Sequence, residues 1–189
     1  MRKGVAERKT LETHVRVELR LDGSGIHNVK TPIPFLNHML KTLCIHSLMD
    51  LTVEAKGDLV HHIVEDTALV LGRALGMALG DRTGIKRFGY IRVPMDDSLA
   101  EAAVDLIGRP YAVVDLKLTC ESIEGLNSKL MVHFIRSLAY SIPATIHVNV
   151  IYGFDEHHKV EAAFKALAVA LREAWTIIDF PTTTKGVYI

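Results

Sequence analysis

Ten of the 189 residues are histidine, and they are not scattered. Two adjacent pairs, His61-His62 and His157-His158, stand 96 residues apart, and each is followed by a glutamate, Glu65 and Glu161, in the pattern His-His-x-x-Glu. On a helix, side chains four apart are separated by about 40° around the axis and neighbours by about 100°. His61 and Glu65 therefore share a face and can hold one metal, as can His62 and Glu65 three apart. The two adjacent imidazoles diverge, which suits two metal sites better than one. Neutral imidazole with carboxylate favours a divalent transition metal. One such helix supplies too few ligands, but the second motif and the single histidines His38 and His133 bring the inventory to six His and two Glu. That is enough for two sites of about three His and one Glu, each open to substrate as a catalytic centre requires. A lone His pair on a helix is ordinarily a solvated face. Its recurrence beside a second recurring His argues against that reading here.

The recurrence extends beyond the ligands. Ala68, Leu71 and Ala74-Leu75 align with Phe164, Leu167 and Ala170-Leu171, and Phe35–Leu43 aligns with Leu130–Leu138. The chain reads as an internal duplication, too short in copies for a solenoid, with two halves packed together. Thr13–Leu21 alternates with period two, as a half-buried strand does, and ends at Asp22-Gly23-Ser24-Gly25. Pro34 opens a helix to about Ser47, with Leu36, Met39, Leu40 and Leu43 on one face. Leu51–Ala55 reads as a strand and His61 to about Leu79 as a helix. The second half repeats the order with strand Tyr111–Leu118, helix Leu126–Ser141, strand Thr145–Ile151 and helix Glu156–Ile177. Ile91–Val93 and Val104–Leu106 add strand or helix material around Pro94. The expected class is α+β, two small sheets with helices on one face of each. Residues 1–189 form one domain of two pseudo-equivalent halves, about 1–92 and 93–189.

Composition limits the alternatives. A hydrophobic share of 49% excludes a disordered chain, and 22 basic against 22 acidic residues argue against a nucleic-acid partner. Cys44 and Cys120 make neither a disulfide framework nor a cysteine-rich zinc site, and read as two reduced core thiols. The first residues lack the apolar stretch of a signal peptide, and no run approaches the roughly 18 apolar residues of a membrane helix. A soluble, cytoplasmic protein is expected.

Phe35-Leu36-Asn37-His38-Met39-Leu40, Gly57-Asp58, His61-His62-x-x-Glu65-Asp66, Gly84-Ile85-x-Arg87-Phe88-Gly89, Asp105-Leu106-x-Gly108-Arg109-Pro110-Tyr111, His133-Phe134, His157-His158-x-x-Glu161-Ala162 and Lys185-Gly186-Val187 follow one another along the chain. In that order they resemble imidazoleglycerol-phosphate dehydratase over essentially the whole length. The resemblance implies a duplicated α+β fold (ribosomal protein S5 domain 2-like). It also implies removal of water from imidazole glycerol phosphate to give imidazole acetol phosphate in histidine biosynthesis. The implied cofactor is two Mn²⁺ per active site, other divalent transition metals being possible, acting as Lewis acids and as a template for the imidazole ring. The implied assembly is a homo-oligomeric 24-subunit particle with active sites between subunits, and no membrane partner.

Carried over by position, the metal ligands are His38, His61, His62, Glu65, His133, His157, His158 and Glu161. Glu12 matches the glutamate that handles a substrate proton; its plainer reading is a strand-edge carboxylate. His46 matches a histidine near the site, with a core imidazole as the alternative. Arg87, Arg109, Thr183 and Lys185 match the groups that bind the substrate phosphate. The sequence departs from the family pattern at Asn37, where aspartate is usual, and at Ile63, where threonine is common. Leu59-Val60 replaces an acidic pair, and Val132 stands where glutamate is usual. A non-catalytic metal scaffold would need neither Glu12 nor the phosphate groups. A small-molecule kinase would need a glycine-rich phosphate loop, and Gly72–Gly76 is helical and apolar.

Overall fold

Alternation builds the first hairpin. In β2 (Thr13–Arg20) Thr13, Val15, Val17 and Leu19 are buried while Arg16 and Glu18 face outward. β1 (Lys3–Lys9) pairs with it antiparallel, from Lys3↔Arg20 to Lys9↔His14. The computed structural model describes residues 2–178 and 180. It continues with β3 (His27–Lys30), α1 (Pro34–Ser47), β4 (Asp50–Gly57) and α2 (Val60–Leu79). β3 and β4 are parallel neighbours, and α1 is the crossover that parallel pairing needs. The sheet order is β1-β2-β4-β3.

The second half repeats that topology with β5 (Phe88–Met95), β6 (Ser98–Asp105), β7 (Tyr111–Asp115), α3 (Lys129–Ser141), β10 (Thr145–Tyr152) and α4 (Glu156–Ala174). Its sheet runs β5-β6-β10-β7, with β7 and β10 parallel. The addition is a small hairpin of β8 (Ser122–Ile123) and β9 (Leu126–Asn127). The second sheet therefore begins at Phe88, a few residues before the division expected near position 92.

Close packing is duplicated too. A Cβ on Gly4 would sit 1.8 Å from the Ala74 carbonyl oxygen, and one on Gly89 would sit 1.9 Å from that of Ala170. Glycine lets each first strand touch the backbone of the helix that covers its sheet. α2 lies on β1 and β2, α4 lies on β5 and β6, and the halves pack crosswise, α1 on α4 and α2 on α3. The helices make a middle layer between two sheets, so α4 is apolar around most of its girth, from Val160 through Phe164 and Leu167 to Leu171. Arg82 ties the halves together. Its buried guanidinium donates to the carbonyls of Ile142 and Pro143 at the end of α3, where helix carbonyls lack partners.

Several expected boundaries move. The helix expected from Leu126 starts at Lys129, because Leu126 and Asn127 pair with Ile123 and Ser122 across Glu124-Gly125. Both turn residues have positive φ, 48° and 77°. The helix expected to reach Ile177 ends at Ala174 with Trp175 as its cap, and the strand expected to reach Leu118 ends at Asp115. The material around Pro94 is the hairpin β5–β6, with Pro94 in an edge strand, where a missing N–H breaks no ladder. Both cysteines are free, but Cys120 is only half-buried at the edge of the core rather than inside it. Cys44 is a core thiol, its Sγ 2.9 Å from the Met49 carbonyl, and burial pushes its pKa up to about 12. Among the described residues no helix is long and apolar enough to cross a membrane.

Candidate active site

Crosswise packing assembles two triads, each with side chains from both halves. α1 presents His38 to α4, where His157 and Glu161 stand one turn apart. His38 Nε2 lies 3.1 Å and His157 Nε2 3.3 Å from Glu161 Oε2. α3 presents His133 to α2, where His61 and Glu65 have the same spacing. Glu65 Oε1 lies 3.4 Å from His133 Nε2, and Glu65 Oε2 lies 3.7 Å from His61 Nε2. In each triad the three donor atoms fall within 4.8 Å of one another. An ion with bonds of about 2.0–2.2 Å holds neighbouring donors about 3–3.5 Å apart, so small side-chain adjustments would close either triad on a metal. Among the described residues His133 Nε2 is buried and makes no hydrogen bond, Glu65 Oε1 at 3.4 Å being poorly aligned for one. An orphaned polar atom of this kind costs about 1–3 kcal/mol unless something binds it. Two imidazoles and a carboxylate with such an orphan fit a divalent transition metal.

The paired histidines diverge, as the helix geometry predicts. The His61 and His62 rings stand at 86° to each other, and those of His157 and His158 at 81°. His62 and His158 therefore leave the triads, and each has a carboxylate at Nδ1. Asp58 Oδ1 is 2.8 Å from His62 Nδ1, and Asp97 Oδ1 is 2.6 Å from His158 Nδ1. These hydrogen bonds hold both histidine pKa values above the ordinary imidazole value. They also fix each ring so that Nε2 is the atom left for another ligand. A single chain thus brings together two His and one Glu per triad, rather than the three His and one Glu of the full inventory.

The two carboxylates differ in setting. The Glu161 side chain is 12% exposed and accepts from Lys165 Nζ at 2.8 Å. Burial alone would raise its pKa, but the bonds from Lys165 and His38 outweigh that and hold it at about 2. The Glu65 side chain is 39% exposed. His157 Nδ1 has Glu124 Oε1 at 3.3 Å. His46, in the last turn of α1, is half-buried; burial, then Lys165, pushes its pKa down.

Glu12 occupies the turn between β1 and β2, with Oε2 4.0 Å from His62 Nδ1. With Lys9, Lys56 and Asp58 it lines an open cavity of about 470 Å³. Two of the expected phosphate groups, Arg87 and Arg109, lie elsewhere. Arg87 forks onto Asp105, at 2.6 Å from Nε and 2.9 Å from Nη2, and stacks on Phe88 at 4.4 Å. Its backbone N–H donates to the Ala174 carbonyl, at the far end of α4 from His157. Arg109 is exposed at the start of the second parallel pair, its carbonyl 3.1 Å from Thr145 Oγ1. Among the described residues its guanidinium makes no ion pair. Thr183 and Lys185 lie outside the described residues.

The departures have structural uses. The Asn37 amide accepts from Thr31 N and donates to Thr31 O, both at 2.9 Å, clasping the loop into α1 in a way an aspartate cannot. Ile63 is core, and Val132 packs against it. Asp97, Asp58, Glu124 and Lys165 were not singled out as site residues by the sequence. Asp58 was findable as the residue four before His62. Asp97 is 61 residues from His158, and only strand register brings them together.

The family model for imidazoleglycerol-phosphate dehydratase matches residues 31–171. The chain is 52% identical over 177 residues to imidazoleglycerol-phosphate dehydratase of Methanothermobacter thermautotrophicus, covering 92% of this chain and 91% of that one. It is 46% identical over 191 residues to that of Methanococcoides burtonii, covering 99% and 100%. The crystal structure of the Pyrococcus furiosus enzyme superposes with a TM-score of 0.85 at 38% identity, covering 96% of this chain and 99% of that one. The Staphylococcus aureus enzyme gives 0.85 at 32%, covering 93% and 99%.

Proposed function

The chain belongs to the imidazoleglycerol-phosphate dehydratase family, hydro-lyases of histidine biosynthesis acting on a small phosphate substrate, and we propose that the two cross-half triads are its metal sites. The observation that carries this is the pair of two-His, one-Glu clusters, one of them with an orphaned buried Nε2 on His133. His38, His157 and Glu161 hold one Mn²⁺ or similar divalent ion, and His61, Glu65 and His133 hold the other. Bound there, the ions supply Lewis-acid stabilisation to the substrate imidazole as the ring gains electron density. Glu12 takes the proton from the carbon beside the ring. His46, half-buried in α1 with its pKa pushed down by burial, is read as a second group for proton transfer.

The same reading calls for several copies. Arg87 is anchored at Ala174 and Glu161 lies 13 residues earlier on α4, a separation of about 20 Å at 1.5 Å per residue. One ring, three carbons and a phosphate do not reach that far. On this reading the metals and the Arg87 that serve one active site come from different subunits, in a homo-oligomer such as the 24-subunit particle. His62 and His158, projecting away from their own triads, supply the remaining ligands to neighbours. Leu11 and Phe154, 106% and 90% exposed, stand beside these histidines, and bare apolar side chains at such a place suit a subunit contact.

The experiment is Glu12→Gln, which keeps size but removes basicity. Turnover of imidazole glycerol phosphate should fall roughly 10²–10⁴-fold, while metal per chain and particle mass by light scattering stay at the parental values. Parental turnover removes Glu12 from the chemistry. A monomer that holds two metals and is fully active removes the shared site.

A further inference from the structure

Asp66 follows the triad residue Glu65 but faces the other way, under the first hairpin. Its buried carboxylate accepts from Arg8 Nε at 2.8 Å through Oδ1 and from the Thr13 hydroxyl through Oδ2. Arg8 and Thr13 are the strand residues on either side of the turn that carries Glu12. The turn is also closed from within. Thr10 Oγ1 accepts the backbone N–H of Glu12 at 3.2 Å and of Thr13 at 3.0 Å, and Thr10 N donates to Thr13 O at 2.9 Å. The hairpin end is thereby fixed to α2 one helical turn from His62.

The second half lacks this device. The position equivalent to Asp66 is Ala162, buried in the core. The residue equivalent to Glu12, by the register of the two first hairpins, is Asp97. Asp97 does the tethering itself, accepting the backbone N–H groups of Phe154 and Asp155 and holding His158. In the first half a separate carboxylate ties the hairpin down. That leaves the Glu12 carboxylate, among the described residues, without a hydrogen bond of its own.

We propose that Asp66 is a positioning residue for the dehydration. Through Arg8 and Thr13 it holds the Glu12 turn so that the carboxylate stands beside His62 where a substrate proton arrives. The proposal rests on the reading of Glu12 as the proton-taking group. A displacement of about 1 Å at a reacting group can cost as much as 10²-fold in rate, and an exposed turn keeps its place only if its backbone is tied.

The test uses the assembled, metal-loaded protein with Thr13→Val, Thr13→Ser and Asp66→Asn, each alone and combined with Glu12→Gln. Thr13→Val should lower kcat roughly 10- to 10²-fold with KM and metal per chain unchanged. Thr13→Ser, which keeps the hydroxyl, should restore most of the loss. Asp66→Asn should follow Thr13→Val, and if that variant does not fold the threonine pair still decides. On the Glu12→Gln background Thr13→Val should have no further effect on kcat, because the group it places is gone. Parental kcat in Thr13→Val beside a disabled Glu12→Gln overturns the proposal. So does an equal fall in both backgrounds, or a fall that tracks lost metal. Parental turnover in Glu12→Gln overturns the reading of Glu12 instead.

Discussion

The two triads are built from equivalent positions on equivalent helices, and what stands behind them differs. Behind Glu161 is Lys165, behind His157 Nδ1 is Glu124, and the Phe35 ring lies 5.2 Å from that of His157. Glu65 has no cation comparable to Lys165 among the described residues, and its side chain is three times as exposed, 39% against 12%. Duplication has kept the backbone positions that aim the ligands while the surrounding charges have drifted apart. The fold decides which side chains meet; the neighbours decide how firmly each is held without an ion.

The largest expected contrast comes from removing each carboxylate in metal-free protein. Glu161→Gln leaves Lys165 beside a neutral amide and should cost about 1–3 kcal/mol of stability. Glu65→Gln should stay within about 0.5 kcal/mol, as an exposed change does. Urea unfolding of both variants measures this, and equal losses would break the comparison. Next in size, Glu124→Gln should weaken the ion at the His38 triad by roughly tenfold, since an outer carboxylate orients His157. The ion at the His61 triad should be unaffected. A chelator competition that resolves two affinities reads this out, and a uniform loss at both sites would count against it.

The smallest effect is in acid. Glu161 titrates at about 2 in the folded chain, below the ordinary 4.5. Its pairs with Lys165 and His38 therefore stabilise the fold fully above about pH 4.5, and that contribution fades as the pH falls towards about 2. Lys165→Met should move the acid-unfolding midpoint of the metal-free chain upward by a fraction of a pH unit. The raised pKa values of His62 and His158 act with the opposite sign, contributing at low pH and fading as pH rises through them. They do so in both halves, so they leave the contrast intact. An unmoved midpoint in Lys165→Met would mean that the lysine is not what holds Glu161 low.

Much of this was legible in the residues. Pro34 and the apolar stripe behind it place α1 to the residue, and the spaced His-His-x-x-Glu motifs show the duplication and two members of each triad. β1 escaped because its buried face is only Gly4 and Ala6, too small to show as alternation. β3 has no buried residue at all and exists through its pairing with β4. In the site, spacing shows that His157 and Glu161 share a face, but nothing local brings in His38, which is 123 residues from Glu161. Arg87 reads in sequence as a free cation for phosphate. Its fork onto Asp105 depends on the first strand pairing of the second sheet, which no single segment reveals.

The crosswise packing of the helices also carries a history. Exchanging the halves turns each triad into the other, with His38 standing for His133 and the pair His61 and Glu65 for His157 and Glu161. Half of this chain alone would have had one triad histidine on its first helix, one triad histidine and the triad glutamate on its second, and no complete triad. Two such halves docked about a twofold axis would have made both triads at once, because an isologous contact repeats every interaction it makes. Joining the end of α2 to the start of β5, from Leu79 to Phe88, then turns a dimer into one chain without moving a ligand. On that lineage the gathering of each triad and the pairing of the two halves would have been a single event.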